Sequence, residues 1–209
     1  MKPILFNTEM VRAILDGRKT QTRRIIKSKY FDSNSIEFIG KNSIQGNILK
    51  YKFLDSIIKE FEHSFIFSNS KIKECDILYV RETWQKMWLD LTNSEIMYKA
   101  SPETYGHWNP ETIIFKPSIH MPKQYARIFL RVGNIRVERL QDISIEDILK
   151  EGISHMQHYQ EGDVCKGSTQ LKREWQELWN STTKDGYKWE DNPYVFVYEF
   201  HRINLEDDL

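Results

Sequence analysis

Gly17-Arg18-Lys19-Thr20-Gln21-Thr22-Arg23-Arg24 is the stretch on which the reading of this chain turns. It sets four cations and two hydroxyls within eight positions, at the point where a short amphipathic helix gives way to extended chain. Upstream, Met10, Val11, Ile14 and Leu15 recur at helical spacing, Asn7 or Thr8 stands at the N-cap, and Gly17 offers the left-handed stop. The pattern predicts a helix from Glu9 to Asp16. Downstream, Thr20 to Ile26 mixes β-branched residues with arginine and reads as a strand. A basic, hydroxyl-bearing turn at the mouth of a sheet suits phosphate or polar-base contact, because arginine offers a planar fork of donors and lysine a mobile charge.

Working outward, Asp76 to Trp84 is the strongest candidate for a central strand. Its continuous apolar middle predicts burial on both faces, with the charged end at a rim. Residues 28–70 are rich in Asn, Ser, Gly and Lys and read as an insertion, a β-hairpin excursion within one domain spanning 1–209. Between 85 and 125, short strands are expected at Ile96–Lys99 and Thr112–Phe115. From Ala126 to Arg139, Ile128, Leu130 and Val132 alternate with Arg127, Phe129 and Arg131, until Asn134 breaks the run before Ile135–Leu140. Ser144, followed by Glu146 and Asp147, opens a helix that Gly152 closes. A polar loop is expected over 155–169, an amphipathic helix from Leu171 to Trp179, and a final strand at Tyr194–Phe200, with Trp175, Trp179 and Trp189 as core or lid aromatics. No internal repeat is visible. The order predicts a small barrel-like α+β fold.

Whole-chain properties limit the function. A chain of 209 residues buries roughly 70% of its extended surface on folding, enough for a core without staples. The net charge of +0 supplies no global field toward nucleic acid, so any such binding uses a local patch. Cys75 and Cys165 match no disulfide framework or metal spacing and read as reduced thiols, with Cys75 near a buried strand. His155 and His158 have helix-compatible spacing but lack a third convincing ligand, so no metal is expected. No cofactor is implied. The opening Met-Lys-Pro-Ile-Leu-Phe is too short for a leader and no stretch is long enough to span a bilayer, which predicts a cytoplasmic protein with no membrane partner.

The motif Gly-Arg-Lys-Thr-x-Thr-x-Arg at 17–24, together with Asp76-Ile-Leu-Tyr-Val80, the strand 126–139, Leu140 to Gly152 and the closing Tyr-Val-Phe-Val-Tyr-Glu-Phe, resembles the ASCH family of PUA-like domains. Val80-Arg-Glu-Thr-Trp84, Pro117-Ser-Ile-His-Met-Pro122 and Arg139-Leu-Gln-Asp-Ile143 are similar to a phage and prophage branch of it. The resemblance implies a twisted β-barrel with a helix-lined cleft, in a bacterial or phage-infected cell, related to modules that bind RNA or modified bases. The same segments are similar to bacterial N4-acetylcytidine amidohydrolases. Carried over position by position, their proposed catalytic set falls on Lys19, Thr22 and Glu151, with Arg24 closing the motif. A one-turn shift would put Asp147 or Glu146 in place of Glu151.

These residues suit amide hydrolysis. A threonine hydroxyl needs a base, and lysine serves if desolvation or cationic neighbours lower its pKa. Glu151 would orient water or donate to the leaving amine. Lys19 and Thr22 are three apart, so a regular strand would send them to opposite faces. Lys19 must therefore lie in the turn before the pleat. The basic segment, with Arg18, Thr20, Arg23 and Arg24, reads alternatively as a solvated rim that pairs with acids. Arg81, Glu82 and Trp84 end the candidate central strand: either Trp84 stacks on a base whose edge Arg81 or Glu82 reads, or Trp84 plugs the core and Arg81 and Glu82 supply ion pairs, and Glu82 is an alternative acid to Glu151. His120, on a Pro-bounded turn, is a binding candidate or a structural histidine. Three functions follow: a nucleoside-, nucleotide- or RNA-binding protein with amidohydrolase activity, a non-catalytic RNA- or DNA-binding module, or a phage protein acting through a protein partner. Oligomeric state is not legible.

Overall fold

The computed structural model describes residues 1–26, 36–42, 46–52, 58–61, 70–90, 92–153 and 164–205. The chain enters along β1 (Lys2–Leu5) and turns at Asn7, whose side chain accepts the Met10 amide at 2.8 Å and caps α1 (Thr8–Leu15). Gly17, at φ +74°, ends the helix in the left-handed conformation that glycine adopts without a Cβ penalty. The basic turn then leads into β2 (Gln21–Ile25).

Within the 28–70 insertion, β3 (Ile36–Asn42), β4 (Gly46–Lys52) and β5 (Ile58–Phe61) form a three-stranded antiparallel sheet, one strand more than a hairpin. The expected strand from Asp76 to Trp84 is two strands. β6 (Ile77–Arg81) belongs to the main sheet, and the chain leaves that sheet at Glu82, whose carboxylate turns inward to Arg127. Trp84 starts the hairpin of β7 (Trp84–Trp88) and β8 (Ser94–Tyr98). β6 is not buried on both faces: Leu78 and Val80 are buried, while Ile77, Tyr79 and Arg81 are half-buried. The strand expected at Thr112–Phe115 is absent. Pro110, which has no amide hydrogen to give a ladder, and the Asn109 cap set a 3-10 turn there, and only Lys116 bridges to Trp84.

β9 (Phe129–Arg139) runs its 11 residues through Asn134, because a bulge absorbs the interruption. Val132 pairs with Phe200 and Ile135 with Tyr198, leaving Gly133 and Asn134 together opposite Glu199. Ser144 accepts the Asp147 amide and caps α2 (Ile145–Lys150). α3 (Val164–Thr182) begins inside the segment read as loop, so 164–169 are helical and 155–163, with His155 and His158, lie outside the described residues. β10 (Tyr194–Ile203) closes the chain. Cys75 is exposed in the turn before β6.

The main sheet has five strands in the order β1-β6-β9-β10-β2, with β1 parallel to β6 and every other pair antiparallel. No pairing joins β1 to β2 among the described residues, so this is a mixed α+β fold around an open sheet. Helices cover both faces. α1 packs Val11 and Ile14 against Leu78, Val80, Leu130, Phe196 and Phe200. α2 and α3 pack Ile148, Leu171, Trp175 and Trp179 against Val195 and Val197. Burial on both faces therefore belongs to β10, which sends Tyr194, Phe196 and Tyr198 one way and Val195 and Val197 the other. No described helix is long and apolar enough to cross a membrane.

The end of α2 presses closely on the basic turn. Gly152 stands at φ +94°, and a Cβ there would meet the Ala13 Cβ at 2.7 Å and the Lys19 Cβ at 3.0 Å. Gly186 has φ +83° with nothing within 4 Å. We expect Gly152→Ala to cost about 2–4 kcal/mol, combining a left-handed penalty with overpacking, against about 1–2 for Gly186→Ala. Urea denaturation of the two variants measures the difference.

Candidate functional site

Lys19 lies between Gly17 and the first residue of β2, before the pleat begins, and pairs through an isolated antiparallel bridge with Glu151 at the C-cap of α2. Its Nζ donates to Glu151 Oε2 at 2.7 Å, to the Glu151 carbonyl at 2.9 Å and to the Gln21 carbonyl at 2.8 Å. An ammonium has three donors, and all three are taken. The Lys19 and Glu151 side chains are 0% and 2% exposed, so this pair is removed from water. Burial is the largest influence on Lys19 and lowers its pKa. The Glu151 charge and hydrogen bond oppose that shift, while Arg24 and Arg23 add to it.

Arg23 joins this pair to a wider network. On β2 it shares a face with Gln21, and its guanidinium donates to Glu151 Oε1 at 3.0 Å, Glu138 Oε1 at 2.9 Å, Asp147 Oδ2 at 3.1 Å and Gln21 Oε1 at 3.3 Å. Across Val197 in register lies Arg136, which bonds Glu138, Asp147 and Glu199. Both Glu151 oxygens thus accept, one from Arg23 and one from Lys19. Glu146, the other residue a one-turn shift would select, points outward and pairs with Lys150. Asp147 lies inside the network.

Thr22 and Arg24 point to the opposite face of β2, where Thr22 stands beside Tyr198 in register. Lys19 Nζ lies 5.5 Å from the Phe6 ring centroid and the Arg24 guanidinium 5.4 Å from it, so the lysine head reaches the side on which Thr22 lies. Thr22 and Phe6 are buried. The Tyr198 hydroxyl is 2.8 Å from Ser70 Oγ. Arg18 is exposed and donates to the Asp16 carboxylate and the Gly152 carbonyl, each at 2.7 Å. Thr20 binds through its backbone, donating to the Lys150 carbonyl and accepting from the Phe200 amide. Beside that contact, an open hollow of about 280 Å³ is lined by Thr20, Asn134, Lys150, Glu199 and His201 among others.

The two predicted rims meet at residue 5. Arg24 donates to the Leu5 carbonyl at 3.0 Å, and Leu5 is the register partner of Arg81. Arg81 in turn clasps the carbonyls of Met121 and Ile119, holding the 3-10 turn on which His120 is exposed. Glu82 and Trp84 take part in other contacts. Glu82 forms a two-pronged pair with Arg127 at 2.9 and 3.1 Å, and Arg127 also bonds Ser101 Oγ and lies 4.0 Å from the Tyr98 ring centroid. Burial pushes the Glu82 pKa up, against the pull of Arg127. The Trp84 ring is buried beside Tyr125, 5.0 Å away, and Lys116.

No family model, curated protein or solved structure matches this chain. No group of three or more potential metal ligands occurs among the described residues. Sequence reasoning missed Gln21, Arg136, Glu138 and Glu199 as members of the network, and Arg127 as the partner of Glu82. One signal was present: Arg136 and Glu138 sit two apart on a strand, hence on one face.

Removing Arg23 takes one partner each from Glu138, Asp147 and Glu151 and leaves the buried Glu151 with Lys19 alone, so Arg23→Met should cost about 3 kcal/mol, whereas exposed Arg18→Ala should stay within about 0.5 kcal/mol. The pH dependence is also signed. Lys19 has a folded-state pKa below its unfolded 10.5, so the unfolded chain holds that proton over a range where the native state has released it. Stability from this group therefore rises as pH climbs from the folded pKa toward 10.5. The margin of the wild type over Lys19→Met should widen across that interval in denaturation series.

Proposed function

We propose that this chain is an ASCH-type, PUA-like protein that binds a nucleotide, modified nucleoside or RNA segment and hydrolyses an amide on the base, of the N4-acylcytidine kind. The twisted barrel belongs to the same proposal. One observation carries it: Lys19 and Glu151, named from two motifs far apart in sequence, meet at 2.7 Å, with Thr22 on the side the lysine head reaches.

The chemistry follows from those positions. Thr22 Oγ attacks the acyl carbon while its proton passes to neutral Lys19, and burial with two nearby arginines favours the neutral amine. The C–N bond breaks, Lys19 returns the proton to the departing cytidine amine, and water then cleaves the threonine ester to release the carboxylate. Of the two roles assigned to Glu151, orientation fits best. A carboxylate accepting at both oxygens holds Lys19 in place, and it would need a proton before it could donate. The hollow beside Thr20 offers the Lys150 ammonium and the His201 imidazole, next to the Glu199 carboxylate, for a ribose or phosphate at the edge of the same bridge.

A second reading, a binding module without catalysis, is favoured by the burial and complete bonding of Lys19. A satisfied ammonium under Phe6 also serves as a clamp between the basic turn and α2. The two separate by turnover. The enzyme reading expects N4-acetylcytidine to give cytidine and acetate, with kcat/KM falling about 10²–10⁴-fold in Thr22→Val and Lys19→Met while the variants remain folded by circular dichroism. Full turnover in folded Thr22→Val would remove the nucleophile from the mechanism.

A further inference from the structure

β7 carries a second set of polar and aromatic groups that shares no residue with the Lys19 pair. Strand alternation lines Trp84, Lys86 and Trp88 along one face, while Gln85 and Met87 turn to the other. Lys86 Nζ lies 4.1 Å from the Trp88 ring centroid and 5.8 Å from that of Tyr125, and Lys116 Nζ lies 5.3 Å from that of Trp84. Trp88 is 58% exposed, an unusual position for the largest side chain, and Tyr125 is half-buried. Neither Lys86 nor Lys116 has a carboxylate within ion-pair distance among the described residues. Asp90, at the end of this hairpin, is occupied by the amides of Thr92 and Asn93 and by their side chains.

We infer that this face of the β7–β8 hairpin is a binding surface for single-stranded nucleic acid, with a base stacked on Trp88 and backbone phosphates on Lys86 and Lys116. The charge and the apolar surface ask for the same ligand. Two ammonium groups with no carboxylate partner among the described residues, one of them bonded only to the Tyr125 side chain, call for anions, and an open indole calls for a planar partner. A nucleotide supplies both at one level, the phosphate beside the ammonium and the base over the ring. An acidic peptide would answer the lysines and leave the indole bare. A bilayer would answer the indole, but Lys86 lies against that ring and would be carried toward hydrocarbon with it. The net charge of +0 confines attraction to such a local patch.

Fluorescence anisotropy with a labelled 12-mer of uridylate or thymidylate tests the inference. We expect binding that weakens steeply with salt, each phosphate contact contributing a log–log slope of about 0.7. Trp88→Ala should weaken binding by about tenfold or more, the loss of one stacked base. Trp88→Phe should restore most of it, and Lys86→Gln should reduce the salt slope by about one contact. These positions are exposed or half-buried, so the variants keep the fold. Trp88→Ala should turn over N4-acetylcytidine like the wild type, which separates this surface from the amidohydrolase reading. Absence of oligonucleotide binding, or binding indifferent to Trp88→Ala and Lys86→Gln, overturns the inference. So does Trp88-dependent binding to phosphatidylserine vesicles without binding to the oligonucleotide.

Discussion

The ion pair between Lys19 and Glu151 lies at the centre of the contacts that hold two distant parts of the chain together. Lys19 belongs to the turn between α1 and β2, and Glu151 ends α2 on the other side of the sheet. Their bridge, continued by the Thr20–Lys150 backbone bond, draws the end of α2 against the start of an edge strand. Gly152 is the consequence: the approach leaves no room for a side chain there. Arg23 then fixes the second Glu151 oxygen, and through Glu138, Asp147 and Arg136 the charge pattern passes across β10 to β9. Edge strand β2 is thus secured by ion pairs as well as by its ladder to β10.

The elements whose signals are local were legible in the sequence. α1 announced itself through its apolar stripe, the Asn7 cap and Gly17, and α2 through Ser144 and Gly152. The alternation of Ile128, Leu130 and Val132 was correct because a half-covered strand obeys its period. The errors have one physical source, which is that a short apolar run does not say what covers it. Ile77-Leu78-Tyr79-Val80 has the composition of a strand buried on both faces, but α2 and α3 lie over β10, so that burial is found at 194–198 instead. Likewise Asn134 looks like a break in one strand, and becomes a bulge only when Glu199 is placed opposite it.

The site was legible to the extent that its members carried a motif. Lys19, Thr22 and Glu151 could be named, and so could the need for Lys19 to precede the pleat. Burial was not legible. Lys19 and Arg23 read as a rim because charged side chains are seldom fully buried, and they lie inside because each has found acids on other elements. Such partners sit more than a hundred residues away and leave no local trace. Arg81 and Glu82 show the same limit: adjacent in sequence, they turn apart, one to the carbonyls of a 3-10 turn and the other to Arg127.

A network of three cations and four carboxylates, buried at Lys19, Arg23 and Glu151, is an odd means of securing a strand. Desolvation costs each of these three buried ions several kcal/mol, an apolar substitute of equal volume is often as stable, and the surroundings are already apolar: Trp175, Ile148, Val195 and Val197. Hydrophobic residues at 19, 23 and 151 would serve the fold about equally well. What they could not supply is a lysine depressed by burial and held by a carboxylate whose two oxygens are both fixed. That combination is wasteful for a scaffold and apt for proton transfer, which is the physical reason for proposing chemistry at this pair.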